Sequence, residues 1–304
     1  MKTLITTICM AAVLANYSAE ITLMMQGQLL LTFNKQMLVK KIIDDSFVNW
    51  GAVENLTEDV DERISQPSEN AIINDQGIIE SGKPGIQLDR QVFKEQLVAK
   101  LFQNQFDQQL DVPINRVYPK VDSELLSTIS ANKIGYYITY FNSRNKERSV
   151  NIEIATEAIN NHVIFPGETF SFNEVVGERT MEKGYKRAPI IVKGELTEGV
   201  GGGICQVSST LFNAVDRAGV HIIKRYSHSK QVKYVPPGRD ATVSWYGPDF
   251  TFQNRYHHPL LIQAKARNGA VVIQIFSSEE IEVKHKQTPD ASKQLPDEMK
   301  REPS

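Results

Sequence analysis

Cys205 is the residue of this sequence whose surroundings best suit chemistry. A glycine run at 201–203 precedes it, and Val207, Leu211 and Val215 follow at the spacing of one helix face. This pattern predicts that Cys205 lies in the first turn of a helix. Backbone N–H groups and the helix dipole favour a thiolate at that position, and they could also hold a developing oxyanion. The chemistry indicated is that of a nucleophilic thiol.

Two residues downstream could complete such a site. His228 falls at the end of a strand predicted at 220–226, and Asp240 falls at the start of one predicted at 241–245. A cysteine nucleophile needs a base and an orienting group, so Cys205, His228 and Asp240 are candidate catalytic residues. This chain order matches transglutaminase-like thiol enzymes, by analogy of arrangement alone.

Each of the three residues also has an ordinary structural explanation, which the sequence leaves open. A cysteine ahead of a helix is often a core residue, and a single histidine is often a surface residue. An aspartate after Pro237-Gly238 could cap a turn.

The residues around Cys205 are candidates for ligand binding. The glycines leave the cysteine uncrowded and allow a substrate backbone to come close. No Lys-Ser/Thr pair follows them, so the run differs from a phosphate-binding P-loop. The histidine pair at 257–258 precedes a proline and is typical of a loop, so no metal and no cofactor are predicted. The candidate ligand-binding residues are Gly201, Gly202, Gly203, Gln206, Ser208 and Tyr234.

The elements that must position these residues are those of an α+β protein of two domains. In the first half, a hairpin is predicted at 72–79 and an amphipathic helix runs from an Asp89 N-cap through Leu101. The apolar spacing at 38–47 also fits a helix face, and the polar stretch 52–68 is interpreted as a loop.

The C-terminal domain is predicted to be a mostly antiparallel sheet packed against the helix that starts at Cys205. Strands at 260–266 and 271–276 are joined by Asn268-Gly269, the strongest short hairpin signal. The predicted divisions are a signal peptide at 1–19, an N-terminal α+β region at 20–129, the C-terminal domain at 130–278 and a disordered tail at 279–304.

Composition and the first residues narrow the class of protein. With 304 residues, 41% hydrophobic residues and a formal charge of −2, the chain can bury a core and has no basic stripe for nucleic acid. One lysine followed by the mostly apolar stretch Leu4–Ala15 matches a signal peptide and is too short to span a bilayer. Removal of that segment would take Cys9 with it and leave Cys205 as the single thiol.

Five motifs in order also resemble those of the VanW family, which is named after an accessory protein of a vancomycin-resistance cluster. The resemblance covers about 134–276, with Ser208-Ser209-Thr210 and Phe212 in place of the expected Ser-Thr-Thr and Tyr. The motifs are PGETFSFNEVVG, GYKRAP, GVGGGICQVSSTLFNA, HSKQVKYVPPGRDATV and DFTFQN, beginning at Pro166, Gly184, Gly199, His228 and Asp249.

The stretch 70–121 resembles, less specifically, a peptidoglycan-binding domain that often precedes VanW domains in bacterial surface proteins. Together the resemblances imply a secreted or cell-wall-associated protein with peptidoglycan or its stem peptides as partner. They supply no reaction. Two hypotheses therefore stand: a thiol-dependent acyltransferase or amidase that uses Cys205, or a non-catalytic module whose cleft holds wall peptide or glycan.

We expect the protein to be found outside the cytoplasm, because the leader Leu4–Ala15 has the length and composition of an export signal. Cell fractionation followed by N-terminal sequencing should give a mature chain that begins between Asn16 and Glu20. An intact Met1 on a cytosolic protein would contradict this expectation.

Overall fold

The computed structural model describes residues 20–42, 45–103, 108–192 and 195–295, and within them the fold is α+β. The predicted signal peptide at 1–19 lies outside these residues. No helix in the described ranges is long and apolar enough to cross a membrane. The α-helices are α1 (Trp50–Ile64), α2 (Arg90–Leu101), α3 (Ser123–Ile129), α4 (Lys146–Ile159), α5 (Phe172–Val176) and α6 (Ile204–Arg217).

The strands range in length from two to nine residues. In chain order they are β1 (Glu20–Met25), β2 (Gln28–Asn34), β3 (Val39–Ile42), β4 (Asp45–Val48), β5 (Ile72–Ile73), β6 (Ile79–Glu80), β7 (Gly85–Leu88), β8 (Gln109–Asp111), β9 (Ile114–Val117), β10 (Asn132–Tyr140), β11 (His162–Ile164), β12 (Thr169–Ser171), β13 (Arg187–Val192), β14 (Glu195–Val200), β15 (His221–Lys224), β16 (Thr251–Gln253), β17 (Leu260–Arg267) and β18 (Ala270–Ser277).

One compact unit comprises the described residues up to Asn70 together with those of Gly82–Lys120. Its largest sheet has the order β2-β1-β8, in which β1 and β2 are antiparallel and β1 and β8 are parallel. The helix α2 begins at the predicted N-cap Asp89, whose carboxylate accepts from the Val92 N–H. Phe93 and Leu97 of α2 are fully buried in the core of this unit.

The other unit comprises Ala71–Ser81 and the chain from Val121 onward. Its main sheet has the order β10-β18-β17-β11, and every described pair in it is antiparallel, as predicted for the C-terminal half. Asn268 and Gly269 both have positive φ, as the predicted tight hairpin between β17 and β18 requires. A second antiparallel sheet has the order β12-β16-β15.

The helix α6 packs on β10 and β18 and lies beside α4. Of its 14 residues, all but Cys205 and Arg217 are buried. The prediction of an antiparallel sheet packed against a helix that starts at Cys205 is confirmed, with the first helical residue at Ile204. The apolar face closes at Ala218, and Gly219 follows in the left-handed conformation that ends helices.

Several predicted elements differ from the structure. The stretch interpreted as a loop at 52–68 lies mostly within α1, and the helix face predicted at 38–47 is replaced by β3 and β4. The compact units also divide the chain at 120/121 and move the β5–β6 hairpin to the second unit, whereas the predicted boundary lay at 129/130.

The tail predicted to be disordered at 279–304 packs on the second unit as far as the structure describes it, to residue 295. Ile281 is buried, and the Tyr137 hydroxyl donates to the Pro289 carbonyl at 2.7 Å. Arg217 donates to the Thr288 carbonyl at 2.7 Å, and the Lys286 N–H donates to the Arg217 carbonyl. The prediction of disorder is therefore wrong for 279–295. This stretch forms no helix or strand, and contacts with the second unit hold it in place.

We expect Gly135→Ala to lower the free energy of unfolding by about 1–3 kcal/mol, as overpacked cores do. A Cβ at this position of β10 would lie 2.5 Å from the Ala214 carbonyl oxygen and 2.8 Å from Ala218 Cβ on α6. Urea unfolding followed by circular dichroism measures the change. Gly51→Ala in α1 is the control, since its Cβ would meet nothing closer than Asn49 Oδ1 at 3.8 Å. Equal stability of Gly135→Ala and the wild type would contradict the close packing of α6 on β10.

Candidate functional site

The start of α6 places a partly exposed thiol at the end of an otherwise buried helix. Gly203 is the N-cap, with φ of 109°, and Gly201 also has a positive φ. Gly202 leaves no room for a side chain, because a Cβ there would lie 2.7 Å from the carbonyl oxygens of Ala188 and Pro189. The three glycines thus let the chain turn sharply between β14 and α6, which is a structural reason for a run that was predicted to bind ligand.

His228 and Asp240 meet beside this thiol. Asp240 Oδ2 lies 2.6 Å from His228 Nδ1 and also accepts from the His228 backbone N–H at 2.6 Å. Because Nδ1 faces the carboxylate, Nε2 is the ring nitrogen left to hydrogen-bond Cys205. The side chains of His228 and Asp240 are only 6% and 9% exposed. The three predicted catalytic residues are therefore brought together in the order thiol, imidazole, carboxylate.

The chain that carries Asp240 is irregular rather than a strand. Neither His228 nor Asp240 lies in a regular element, because β15 ends at Lys224 and no strand forms at the predicted 241–245. Hydroxyl groups of α6 hold this chain in place instead. Ser208 Oγ donates to the Ala241 carbonyl at 2.6 Å, and Ser209 Oγ accepts from the Ala241 N–H at 2.9 Å.

The same chain continues past the thiol. Cys205 Sγ lies 3.5 Å from the Val243 carbonyl oxygen and 3.8 Å from Thr242 Oγ1. On the other side of Asp240, Asn213 Nδ2 donates to the Arg239 carbonyl at 2.8 Å. One irregular segment, 239–243, is thus fixed along α6 from its middle to its first turn.

The electrostatics favour an ion pair of thiolate and imidazolium. Burial raises the pKa of Cys205, but the hydrogen bond and charge of His228 outweigh it and hold this pKa below its ordinary value. Burial lowers the pKa of His228, but Cys205 and Asp240 together raise it above its ordinary value. Burial also raises the pKa of Asp240, and its hydrogen bonds to His228 lower it further than that, so Asp240 remains ionised.

Two of the predicted ligand-binding side chains are used within the protein. Gln206 is fully buried, accepts from Arg148 Nη2 at 2.7 Å and donates to Thr139 Oγ1 and the Tyr140 carbonyl, both at 3.0 Å. Ser208 is also fully buried and bonded to the Ala241 carbonyl. Both residues hold the site together, which differs from the predicted contact with ligand.

Tyr234 lies closer to the reacting group. Its hydroxyl is enclosed in the protein, beside Ser209. Burial, and then the neighbouring Cys205 thiolate, raise the pKa of Tyr234 well above its ordinary value, so the phenol stays protonated.

The chain is 50% identical over 283 residues to the uncharacterized protein YoaR of Bacillus subtilis (strain 168), which covers 93% of each chain. The sequence model of the family described as VanW like protein matches residues 147–276. The chain belongs to the VanW-like family.

A second relative is the vancomycin B-type resistance protein VanW of Enterococcus faecalis (strain ATCC 700802 / V583). It is 29% identical over 146 residues, which are 45% of this chain and 51% of that protein. No solved structure matches the chain. The VanW-like match spans α4 to β18 and so contains Cys205, His228 and Asp240.

Arg179 is a cation near Cys205 that the sequence does not predict as part of the site. Arg179 packs its Cβ within 3.2 Å of the Cβ position of Gly201, and its Nη2 donates to Asn173 Oδ1 at 2.8 Å. Burial lowers the pKa of Arg179, while Tyr185 and the Cys205 thiolate act to raise it. An arginine two residues after Gly177 carries no sequence signal of this kind, because only the fold brings it near Cys205.

No group of three or more histidine, cysteine, aspartate or glutamate side chains suited to a metal ion occurs within the described ranges.

We expect Cys205 to react with iodoacetamide at neutral pH, because the hydrogen bond and charge of His228 outweigh the effect of burial and hold the thiol pKa below its ordinary value. His228→Ala should move the midpoint of the labelling rate to higher pH, since the cation that stabilises the thiolate is lost. Asp240→Asn should move it in the same direction by less, because His228 would lose the charge that raises its own pKa.

The midpoints come from labelling rates of a chain lacking residues 1–19. The rates are measured from about pH 5 to 9, because this pH range brackets lowered and ordinary thiol pKa values. His221→Ala on β15 is the matched control, since His221 is exposed and outside the site. Labelling that appears only on unfolding would identify Cys205 as a structural residue.

Proposed function

We propose that this protein is an exported cell-envelope enzyme that uses Cys205 for acyl transfer or amide hydrolysis on peptidoglycan peptides. The observation that carries the proposal is the position of His228, whose Nδ1 is held at 2.6 Å by Asp240 while its other nitrogen serves the Cys205 thiol. This arrangement meets the requirement for an activated nucleophile: a base in reach and a group that orients the base.

The reaction would run in two halves. The Cys205 thiolate attacks the carbonyl carbon of an amide, and the tetrahedral adduct collapses to a thioester as the amine leaves with a proton from His228. An acceptor amine or a water molecule then gives a proton to His228 and attacks the thioester. The acyl group leaves on that acceptor, and the thiolate is restored. Asp240 keeps Nδ1 of His228 protonated in both halves.

The first turn of α6 would stabilise the negative charge on the adduct. Its N-cap is Gly203, which offers no side chain, and no acidic residue occurs in the first turn. The Ile204 and Gln206 amides already donate to the carbonyls of Gly201 and Gly203, so the Cys205 N–H and the helix dipole are the groups that would stabilise this charge. Arg179 packs beside Gly201, and its positive charge, which interacts with Cys205, would add to that potential.

The choice of substrate is supported by the relatives and by the first half of the chain. One relative is named for vancomycin resistance, which agrees with the cell-wall setting implied by the motifs. The stretch 70–121 resembles a peptidoglycan-binding domain. Most of it, Gly82–Lys120, lies in the first compact unit, so this unit would retain the enzyme on its polymer. Secretion or cell-wall attachment follows from the same setting and from the leader at 1–19.

We expect the mature protein to change the mass of defined muropeptides, with loss of the amine side of one amide bond. Cys205→Ala and His228→Ala should each lower the rate at least about a thousandfold, as removal of a triad member does. Mass spectrometry of the products, and of the protein for a thioester on Cys205, measures both effects. His221→Ala is the control that should keep the rate of the wild type.

Muropeptides left unchanged by the wild-type protein would overturn the enzymatic proposal. Retention of the same muropeptides on the protein would then identify a wall-binding module. A rate that survives Cys205→Ala would instead place the reaction on another residue.

A further inference from the structure

A groove of about 560 Å³ lies in the second unit beside the glycine run. Its wall includes Ala188, and the Ala188 carbonyl is the group against which Gly202 packs. Asn151 Nδ2 fixes this junction by donating to the carbonyls of Lys186 and Gly202, at 3.0 and 2.9 Å. The backbone at Ala188 and Pro189 therefore forms part of the groove wall and also packs against the turn that leads into Cys205.

Four charged side chains line this groove: Arg144, Glu147, Arg187 and Glu198. Arg144 precedes α4 and Glu147 lies in its first turn, whereas Arg187 and Glu198 lie on the paired strands β13 and β14. All four are exposed. In the described part of the chain, none of these side chains has a hydrogen-bond or ion-pair partner, although opposite charges share one groove.

Ordinary surface charges are solvated and contribute little, so exposure alone would indicate nothing. The combination here is more specific. Two guanidinium groups and two carboxylates line one concavity. A guanidinium matches a carboxylate with two parallel hydrogen bonds, and a carboxylate accepts from an ammonium. The complementary ligand carries an ammonium and a carboxylate close together.

We propose that this zwitterion groove (Arg144, Glu147, Arg187 and Glu198) is a subsite for a peptide side chain that ends in a free α-amino acid group. As a substrate subsite it rests on the proposed function of Cys205. It would select wall peptides that contain a diamino diacid over peptides that contain lysine at the same position. Lysine supplies the ammonium alone and leaves both arginines without an anion.

The test compares the binding of two stem peptides that differ only at that side chain, one ending in an amino acid group and the other in a lysine ammonium. The full-length mature protein carries Cys205→Ala, so that neither peptide is consumed. Isothermal titration should give at least about tenfold tighter binding of the diamino diacid peptide, which corresponds to about 1.4 kcal/mol. The ratio should fall at high salt, because exposed charges are screened.

Arg187→Glu and Arg144→Glu should each bring the two affinities together. Arg144 lies outside any regular element, so its variant keeps the test decisive if the strand variant fails to fold. Arg255→Glu is the matched control. Arg255 is exposed in the same unit, next to Tyr256, whose hydroxyl bonds the Ala218 carbonyl at the far end of α6. This control should keep the preference.

Equal affinities, no measurable binding of the diamino diacid peptide, or a preference that survives both charge reversals would each overturn the inference. These outcomes are independent of turnover. A wild-type protein that binds with the expected preference but leaves muropeptides intact would sink the proposed reaction and retain the groove.

Discussion

The hydrogen bonds between the hydroxyls of α6 and the backbone of Ala241 are the contacts on which the candidate site depends. Ser208 and Ser209 occupy both the carbonyl and the N–H of Ala241, so the chain on either side of that residue has a fixed position. Asp240 is thereby placed so that its carboxylate bonds both the backbone N–H and the Nδ1 of His228. A polar group buried without a partner costs about 1–3 kcal/mol, so loss of either serine hydroxyl would disturb the whole arrangement.

This dependence explains why α6 is polar and yet almost wholly buried. An amphipathic helix normally turns one polar stripe to solvent. Here Gln206, Ser209 and Asn213 each bond to another segment of the protein, so that the polar face is enclosed by chain rather than water. Cys205 and Arg217, near the two ends of the helix, are the residues of α6 that are not fully enclosed.

Much of the site could be predicted from the sequence, because its chemistry follows from residue type. Cys205 at a helix start required only the glycine run and the apolar spacing, and the pairing of β17 with β18 required only Asn268-Gly269. The bonds of Gln206 and Ser208 could not be predicted, since a polar residue near a nucleophile has the same pattern whether it faces ligand or protein. The strand expected at 241–245 does not form. Serine side chains of α6 bond both backbone groups of Ala241, while the Thr242 N–H donates to the Tyr226 carbonyl.

Elements with weak local signals were predicted least well. The helix α1 contains many polar residues, so its apolar positions Val53, Val60 and Ile64 were outweighed by composition, although they share the buried side of the helix. The residues of β3 and β4 have apolar positions that fit helical spacing as well as a hairpin. The antiparallel pairing of β3 with β4 favours the hairpin over the helix, and a short stretch of sequence does not predict such pairing.

The segment 239–243 also makes the reactivity of Cys205 depend on the folded structure. Cys205 and Asp240 are far apart in sequence, and the contacts of α6 with β10 and with Ala241 hold the carboxylate at the imidazole. In a chain without these contacts, His228 would be an isolated imidazole and the thiol would keep the pKa of a free cysteine. A nascent or partly unfolded chain would thus carry a cysteine that resists oxidation and adventitious acylation at neutral pH. Completion of the native core is itself the step that activates it.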